Sequence, residues 1–249
     1  VQGLTEFLPV SSSGHLVLFG AWLGVEQEGI LFEVALHAAT LLAVVVFYRA
    51  RVASLVAGAL RGDADAWRYG LKLGVATLPA VAAVLLARGF FEGLYERVAP
   101  VGLALWVTGA AVYSTRFTLP RARGPEPGWA DALWIGAAQA AAIVPGISRS
   151  GATVATGLAL GVAPAAAAEF SFMMSLPAIL GAVVLQVPDL GHVAPGAWTG
   201  IAAGAVVALG SGVAALWLFV RLLRSRAFHH FAWYVWPLGA VVLLWAQLR

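Results

Sequence analysis

The sequence predicts an all-α polytopic membrane protein: six transmembrane helices plus two re-entrant helix hairpins related by an inverted-topology repeat. Composition is the first observation behind this. The chain of 249 residues is 61% hydrophobic and only 11% charged, with a mean hydropathy of +0.88, whereas soluble domains carry about 25% charged residues. Second, two Ser/Gly-rich breaks, Ser11-Ser12-Ser13-Gly14-His15 and Ser148-Arg149-Ser150-Gly151, interrupt apolar stretches and are copies of one another at an offset of 137. Sliding the chain by that offset pairs Gln2 with Gln139, Ser11 with Ser148, Ser13 with Ser150, Gly14 with Gly151, Val17 with Val154 and Gly20 with Gly157. Leu23-Gly24-Val25 then falls on Leu160-Gly161-Val162. Nine identities in 24 positions exceed what Ala/Gly/Val-rich composition gives by chance, so the repeat reads as an internal duplication. Third, three crossings separate the breaks, and an odd number inverts the second copy relative to the first.

The crossings follow from length. A spanning helix needs about 20 mostly apolar residues, and stretches near 31–48, 71–88, 98–117, 170–187, 197–220 and 231–248 qualify. The apolar runs flanking Pro9 to His15 and Pro145 to Gly151 are each about half a span at 1.5 Å per residue. Proline ends the first half-helix by removing a donor, and Ser and Gly suit the start of the second. Each break therefore reads as a hairpin that enters and leaves on one side. It faces the protein interior, where its irregular backbone finds partners. The whole of 1–249 is one membrane domain, with repeat 1 at about 1–118 and repeat 2 at about 129–249.

Orientation comes from the basic residues. The 49–70 loop carries Arg49, Arg51, Arg61 and Arg68, with Lys72 just beyond; the 116–128 loop carries Arg116, Arg121 and Arg123; the 221–230 loop carries Arg221, Arg224 and Arg226. These are expected on the cytoplasmic side. The connection at 188–196 has no Lys or Arg, and that at 88–97 offsets Arg88 and Arg97 with Glu92 and Glu96, so both are expected outside. The first hairpin then dips in from outside and the second from inside. Trp67, Trp129, Trp198, Trp233 and Trp236 fall near span ends, as an aromatic belt requires.

Fourteen Arg and one Lys give a net charge of +3 and a pI near 9.7. They cluster in loops, which reads as membrane orientation and not as a nucleic-acid surface. With no Cys there is no disulfide framework, thiolate metal site or thiol nucleophile. The first residue is Val1, so the chain is expected to start inside a longer sequence.

Ionisable side chains inside a membrane are costly and mark function by default, which singles out Glu6, His15 and Arg149. Gln2 and Glu6, four residues apart, share a helix face. Their oxygens suit a hard divalent cation, Mg²⁺ or Ca²⁺, whose other ligands are water and phosphate. The plain alternative is that Glu6 only pairs with Arg149. The segments Ser11-Ser12-Ser13-Gly14 and Ser148-Arg149-Ser150-Gly151 open half-helices whose free N–H groups favour an anion, and Arg149 adds a planar fork for phosphate oxygens. The plain alternative here is small-residue packing with hydroxyls as glue. His15 suits a general base, a general acid or a nucleophile toward phosphorus, or else an orienting hydrogen bond. At the offset Glu6 faces Ile143, His15 faces Ala152 and Ser12 faces Arg149, so the copies divide acid, imidazole and guanidinium between them. Weaker signals are Gln139 and Thr153, which would line the second hairpin. Glu33 with His37, and Glu169, are assigned dipole or capping roles; His229 and His230 are assigned a solvated loop.

Gln2-Gly3-Leu4-Thr5-Glu6-Phe7-Leu8-Pro9-Val10-Ser11-Ser12-Ser13-Gly14-His15 and Pro145-Gly146-Ile147-Ser148-Arg149-Ser150-Gly151-Ala152-Thr153 closely resemble the two signature segments of the bacterial undecaprenyl-diphosphatase, or bacitracin-resistance, family. Phe32-Glu33-Val34 and Glu169-Phe170-Ser171-Phe172 extend the likeness over nearly the whole chain. The resemblance implies a multi-pass enzyme of the bacterial inner membrane. It would hydrolyse undecaprenyl diphosphate to the monophosphate carrier lipid and phosphate, supplying cell-wall synthesis. It implies dependence on a divalent cation, with Gln2 and Glu6 in the acidic motif, and catalytic places for Glu6, His15, Arg149 and Ser12. The substrate-binding set is Ser11, Ser13, Gly14, Gly146, Ser148, Ser150, Gly151 and Thr153. The expected partners are the prenyl diphosphate and bilayer lipid, with a homodimer left open and nucleic acid excluded. A lipid-phosphate transporter or flippase is the competing reading, because inverted repeats with broken helices are common there.

Overall fold

The computed structural model describes residues 1–23, 30–95, 97–186 and 197–247. Helices α1 (Gln2–Thr5), α2 (Ser12–Leu23), α3 (Ile30–Phe47), α4 (Arg49–Leu60), α5 (Ala64–Tyr95) and α6 (Val98–Thr118) form the first part. Helices α7 (Trp129–Ala141), α8 (Arg149–Ala159), α9 (Pro164–Gln186), α10 (Ala197–Arg224) and α11 (Ala232–Gln247) form the second, with a 3₁₀ turn at Phe228–Phe231. The 188–196 connection, Glu96 and the side chains of Glu33, Arg88 and Glu92 lie outside the described residues.

Four described stretches are long and apolar enough to cross a bilayer: Ala64–Ala87, Val98–Thr118, Pro164–Gly181 and Trp198–Arg224. A fifth crossing exists if Val34–Phe47 and Arg49–Leu60, bent by 83°, count as one span. Helix α11 has 16 residues. At 1.5 Å per residue that is about 24 Å, short of the hydrocarbon thickness of about 30 Å. Four of the six expected spans thus appear as helices of spanning length, 31–48 falls in the first arm of the bent pair, and α11 has 16 described residues within 231–248.

The 49–70 segment differs from the loop expected there. Arg49 and Arg51 sit on α4, Arg61 in the turn that follows it and Arg68 on the start of α5, because the run from Arg49 to Leu60 is rich in Ala, Leu and Arg, all good helix formers. In α5, Ala87 leaves helical dihedrals (φ −134°, ψ 27°) and kinks the helix. Trp67, Trp129, Trp198 and Trp233 are exposed, whereas Trp236 donates its indole N–H to the Trp106 carbonyl at 3.2 Å and packs between helices.

The core is an aromatic ladder between the two parts. Phe7 meets Phe172 edge-on at 5.7 Å, Phe172 meets Phe219 at 4.9 Å, and Phe219 meets Phe228 at 4.9 Å. These rings are fully buried, and each edge-to-face pair adds about 0.5–1.5 kcal/mol beyond its burial. Helices α6 and α11 cross where glycines abut. A Cβ on Gly102 would lie 3.1 Å from the Gly239 carbonyl oxygen, and one on Gly239 would lie 2.9 Å from that of Gly102. Those two positions are 137 apart, so the contact reciprocates at the offset of the sequence repeat.

Candidate active site

The two Ser/Gly breaks open α2 and α8 with the same local bonds. Ser148 caps α8, its Oγ accepting from the Gly151 N–H at 3.2 Å; Ser11 Oγ accepts from the Gly14 N–H at the same 3.2 Å. The Ser11–Ser13 and Ser148–Ser150 hydroxyl pairs are each 3.3 Å apart. The breaks also touch each other. A Cβ on Gly14 would lie 3.1 Å from Gly146 Cα, and one on Gly151 would lie 3.2 Å from Pro9 Cβ. Pro9 and Gly146 correspond at the offset, so this contact reciprocates as well.

Gly146 holds φ at +101°, a conformation that costs a side-chain-bearing residue about 1–2 kcal/mol. Thr108 of α6 clamps it: the Thr108 hydroxyl donates to the Gly146 carbonyl at 2.8 Å and accepts from the Ser148 N–H at 2.9 Å. On the other side Ser11 itself sits at φ +68°. Strained backbone of this kind concentrates at functional sites.

Glu6, just beyond α1, and Arg149, the first residue of α8, meet where the breaks pack. Arg149 Nη2 donates to Glu6 Oε1 at 2.8 Å, with the two side chains 16% and 8% exposed. Glu6 Oε2 accepts from Ser12 Oγ at 2.7 Å and from the Gln2 amide Nε2 at 3.1 Å. The same amide lies 3.3 Å from His37 Nδ1 on α3. His37 was assigned a dipole or capping role from sequence; the fold instead brings it to the acidic cluster.

Two atoms beside this pair are buried without a hydrogen-bond partner among the described residues: Gln2 Oε1 and Arg149 Nη1. A buried unpaired polar group costs about 1–3 kcal/mol, more when charged. One acceptor and one cationic donor beside a shared carboxylate are complementary to a cation and an anion together. Gln2 Oε1 and Glu6 thus fit a hard cation, and Arg149 Nη1 fits a phosphate oxygen. Among the described residues no group of three His, Cys, Asp or Glu side chains converges; a cation here would need its remaining ligands from water and substrate, as Mg²⁺ commonly does.

His15 is buried one turn along α2 from Ser11 and Ser12. Its Nδ1 lies 2.8 Å from the Ser11 carbonyl and its Nε2 lies 2.8 Å from the Tyr234 hydroxyl on α11. Thr153 bonds the Arg149 carbonyl at 2.7 Å and Ser171 Oγ at 2.6 Å. Gln139 is buried on α7, and neither of its amide atoms has a partner among the described residues.

Thr108, Ser171 and Tyr234 were not singled out as site residues from sequence, since none carries a charge and none lies in a break. Glu169 differs from its assigned capping role. It accepts from Arg51 Nε at 2.8 Å, and Arg51 also pairs with Glu126. The His229 and His230 rings lie 4.2 Å apart, tilted by 42°, and His229 meets Tyr113 edge-on.

A family model described as bacitracin resistance protein BacA matches residues 1–241. The undecaprenyl-diphosphatase of Syntrophotalea carbinolica is 40% identical over 247 residues, covering 97% of this chain and 94% of that one. The relative of the same name from Desulfatibacillum aliphaticivorans is 36% identical, covering 98% and 95%. Undecaprenyl-diphosphatase 1 of Halalkalibacterium halodurans is 38% identical, covering 97% and 92%. A match of this length, running through both breaks and the helices that hold them, places the chain in the bacitracin resistance protein BacA family.

Proposed function

We propose that the chain hydrolyses undecaprenyl diphosphate to undecaprenyl phosphate and inorganic phosphate, in the inner membrane of a bacterium, and so returns the carrier lipid to cell-wall synthesis. The observation that carries the reading is the Glu6–Arg149 pair, drawn from both breaks and flanked by the unpartnered Gln2 Oε1 and Arg149 Nη1. The family names agree with it. Transport of a lipid phosphate, the competing reading, gains no support from them.

Arg149 spends one arm of its fork on Glu6, which fixes the guanidinium plane and leaves Nη1 for a phosphate oxygen. Ser148, Ser150, Ser11 and Ser13, with the N–H groups of the helix starts, surround the remaining phosphate oxygens. Gln2 and Glu6 would hold a divalent cation, which when bound neutralises diphosphate charge. His15 or the Ser12 hydroxyl supplies or activates the nucleophile for the terminal phosphorus. The bond from the terminal phosphorus to the bridging oxygen breaks and undecaprenyl phosphate leaves; water, either as the activated nucleophile or by hydrolysing the phosphoryl group held on His15 or Ser12, carries that group off as inorganic phosphate. Positioning and charge stabilisation carry such a reaction, which asks little covalent work of the protein.

The architecture that serves this is two re-entrant hairpins in a two-fold inverted repeat, about 1–118 and 129–249. The reciprocal Gly102–Gly239 contact and the Gly14–Gly146 and Gly151–Pro9 contacts support it. So do the half-span lengths of α2, α7 and α8, with 12, 13 and 11 residues. Exposed Leu85, Leu86, Leu103, Val206 and Val207 suit a surface facing lipid tails, with the prenyl chain of the substrate among them.

Phosphate release from undecaprenyl diphosphate by purified protein, with and without a chelator, is the test. The expected result is turnover that the chelator abolishes and added Mg²⁺ or Ca²⁺ restores, with loss of about 10²-fold or more in Glu6→Gln. Undiminished turnover in Glu6→Gln removes the site from the reaction.

A further inference from the structure

The Ser11 carbonyl accepts twice from His15, from its backbone N–H at 3.2 Å and from ring Nδ1 at 2.8 Å. A carbonyl only accepts, so the proton of the neutral imidazole sits on Nδ1 and Nε2 is left as the acceptor. The atom at 2.8 Å from Nε2 is the Tyr234 hydroxyl, which must then be the donor. The two rings are within 13° of parallel with centroids 5.9 Å apart.

The contact joins opposite ends of the chain, α2 and α11, and the repeat does not require it. At the offset of 137, His15 faces Ala152 and Tyr234 faces Arg97. The second copy therefore has neither partner. Packing does not require it either: Tyr234 is 50% exposed, while His15 is 6% exposed. A half-exposed tyrosine that spends its hydroxyl on a buried imidazole, across the seam between the copies, has orientation as its effect.

We propose that Tyr234 is a positioning residue for His15. Its hydroxyl and the strained Ser11 carbonyl together hold the ring as the Nδ1–H tautomer, and the hydroxyl occupies the Nε2 lone pair until the group on which His15 acts displaces it. This rests on the reading of His15 as the residue that supplies or activates the nucleophile. Tyr234 touches neither substrate nor cation and acts only through the imidazole.

The test uses the full chain in detergent, with undecaprenyl diphosphate as the probe, in wild type, Tyr234→Phe, His15→Gln and the double variant. Phenylalanine keeps the ring and removes the hydroxyl alone. Tyr234→Phe is expected to lower kcat about tenfold with KM unchanged, the size of one hydrogen bond's worth of orientation. The double variant is expected to be no slower than His15→Gln, since the tyrosine has nothing left to position. In ¹⁵N spectra of histidine-labelled protein, with His15→Gln giving the assignment, the His15 Nε2 resonance is expected to move downfield in Tyr234→Phe while Nδ1 keeps its proton. Wild-type kcat in Tyr234→Phe, an unmoved Nε2 resonance, or a loss that persists in the His15→Gln background each overturn the proposal. Full activity in His15→Gln overturns instead the reading of His15 beneath it.

Discussion

Arg149 is the residue on which both charge and geometry converge. It forms a 2.8 Å bond to Glu6 through Nη2 and keeps Nη1 buried and unpartnered. A lysine places one compact ammonium where two separate donors are needed, so it can serve Glu6 or phosphate but not both in the same directions. Arg149→Lys is therefore expected to lose about 10²-fold in kcat/KM and Arg149→Ala at least that, measured by phosphate release; wild-type turnover with lysine would show that only charge counts. Glu6, Arg149 and Gln2 were legible in the sequence because ionisable and amide groups inside a membrane are costly and stand out. His37 and Tyr234 were not. The first sits in an apolar span, where a local capping role explained it equally well. The second is flanked by Trp233 and Trp236 in an aromatic run that reads as a belt. Their partners lie 35 and 219 positions away, a separation that no local pattern records.

At the scale of elements, the site depends on how α8 is entered and left. Gly146 precedes α8 at φ +101° and Gly161 follows it at φ +88°, but their surroundings differ. A Cβ on Gly161 meets nothing within 4 Å, whereas one on Gly146 would lie 2.6 Å from the Val101 carbonyl and 2.7 Å from Ala104 Cβ. Gly161→Ala is thus expected to cost only the conformational term, about 1 kcal/mol, and Gly146→Ala about 1–3 kcal/mol more from overpacking. Thermal unfolding in detergent reads both, and equal shifts in Tm would contradict the packing of α8 on α6. The start of α8 was readable from Ser148 and Pro145. The path of residues 49–70 was not. Arginine count predicted a loop, but charge decides which side of a membrane a segment faces and not whether it coils. The helix-forming residues of α4 settled its conformation, and the 83° bend at Tyr48 turned it away from α3.

For the whole molecule, several close glycine contacts reciprocate at the offset of 137 residues at which the sequence repeats. Gly102 and Gly239 abut each other, so Gly102→Val and Gly239→Val are expected to destabilise by similar amounts, about 1–3 kcal/mol each. Their effects are not expected to add, because either side chain alone separates α6 from α11; full additivity in Tm would place the two glycines in separate interfaces. The duplication was visible in the sequence through nine identities. The depth and number of crossings were less so, because hydropathy marks apolar stretches without showing that α3 bends into α4. What the two halves accomplish together is to bring Glu6 and Arg149, 143 positions apart, to one bond. The most direct measurement is a double-mutant cycle on kcat/KM for phosphate release, with Glu6→Gln, Arg149→Ala and the pair combined. If the two residues act as one unit on one diphosphate, the double variant is no slower than the slower single variant; if the two losses multiply, carboxylate and guanidinium work in independent places and the shared site does not exist.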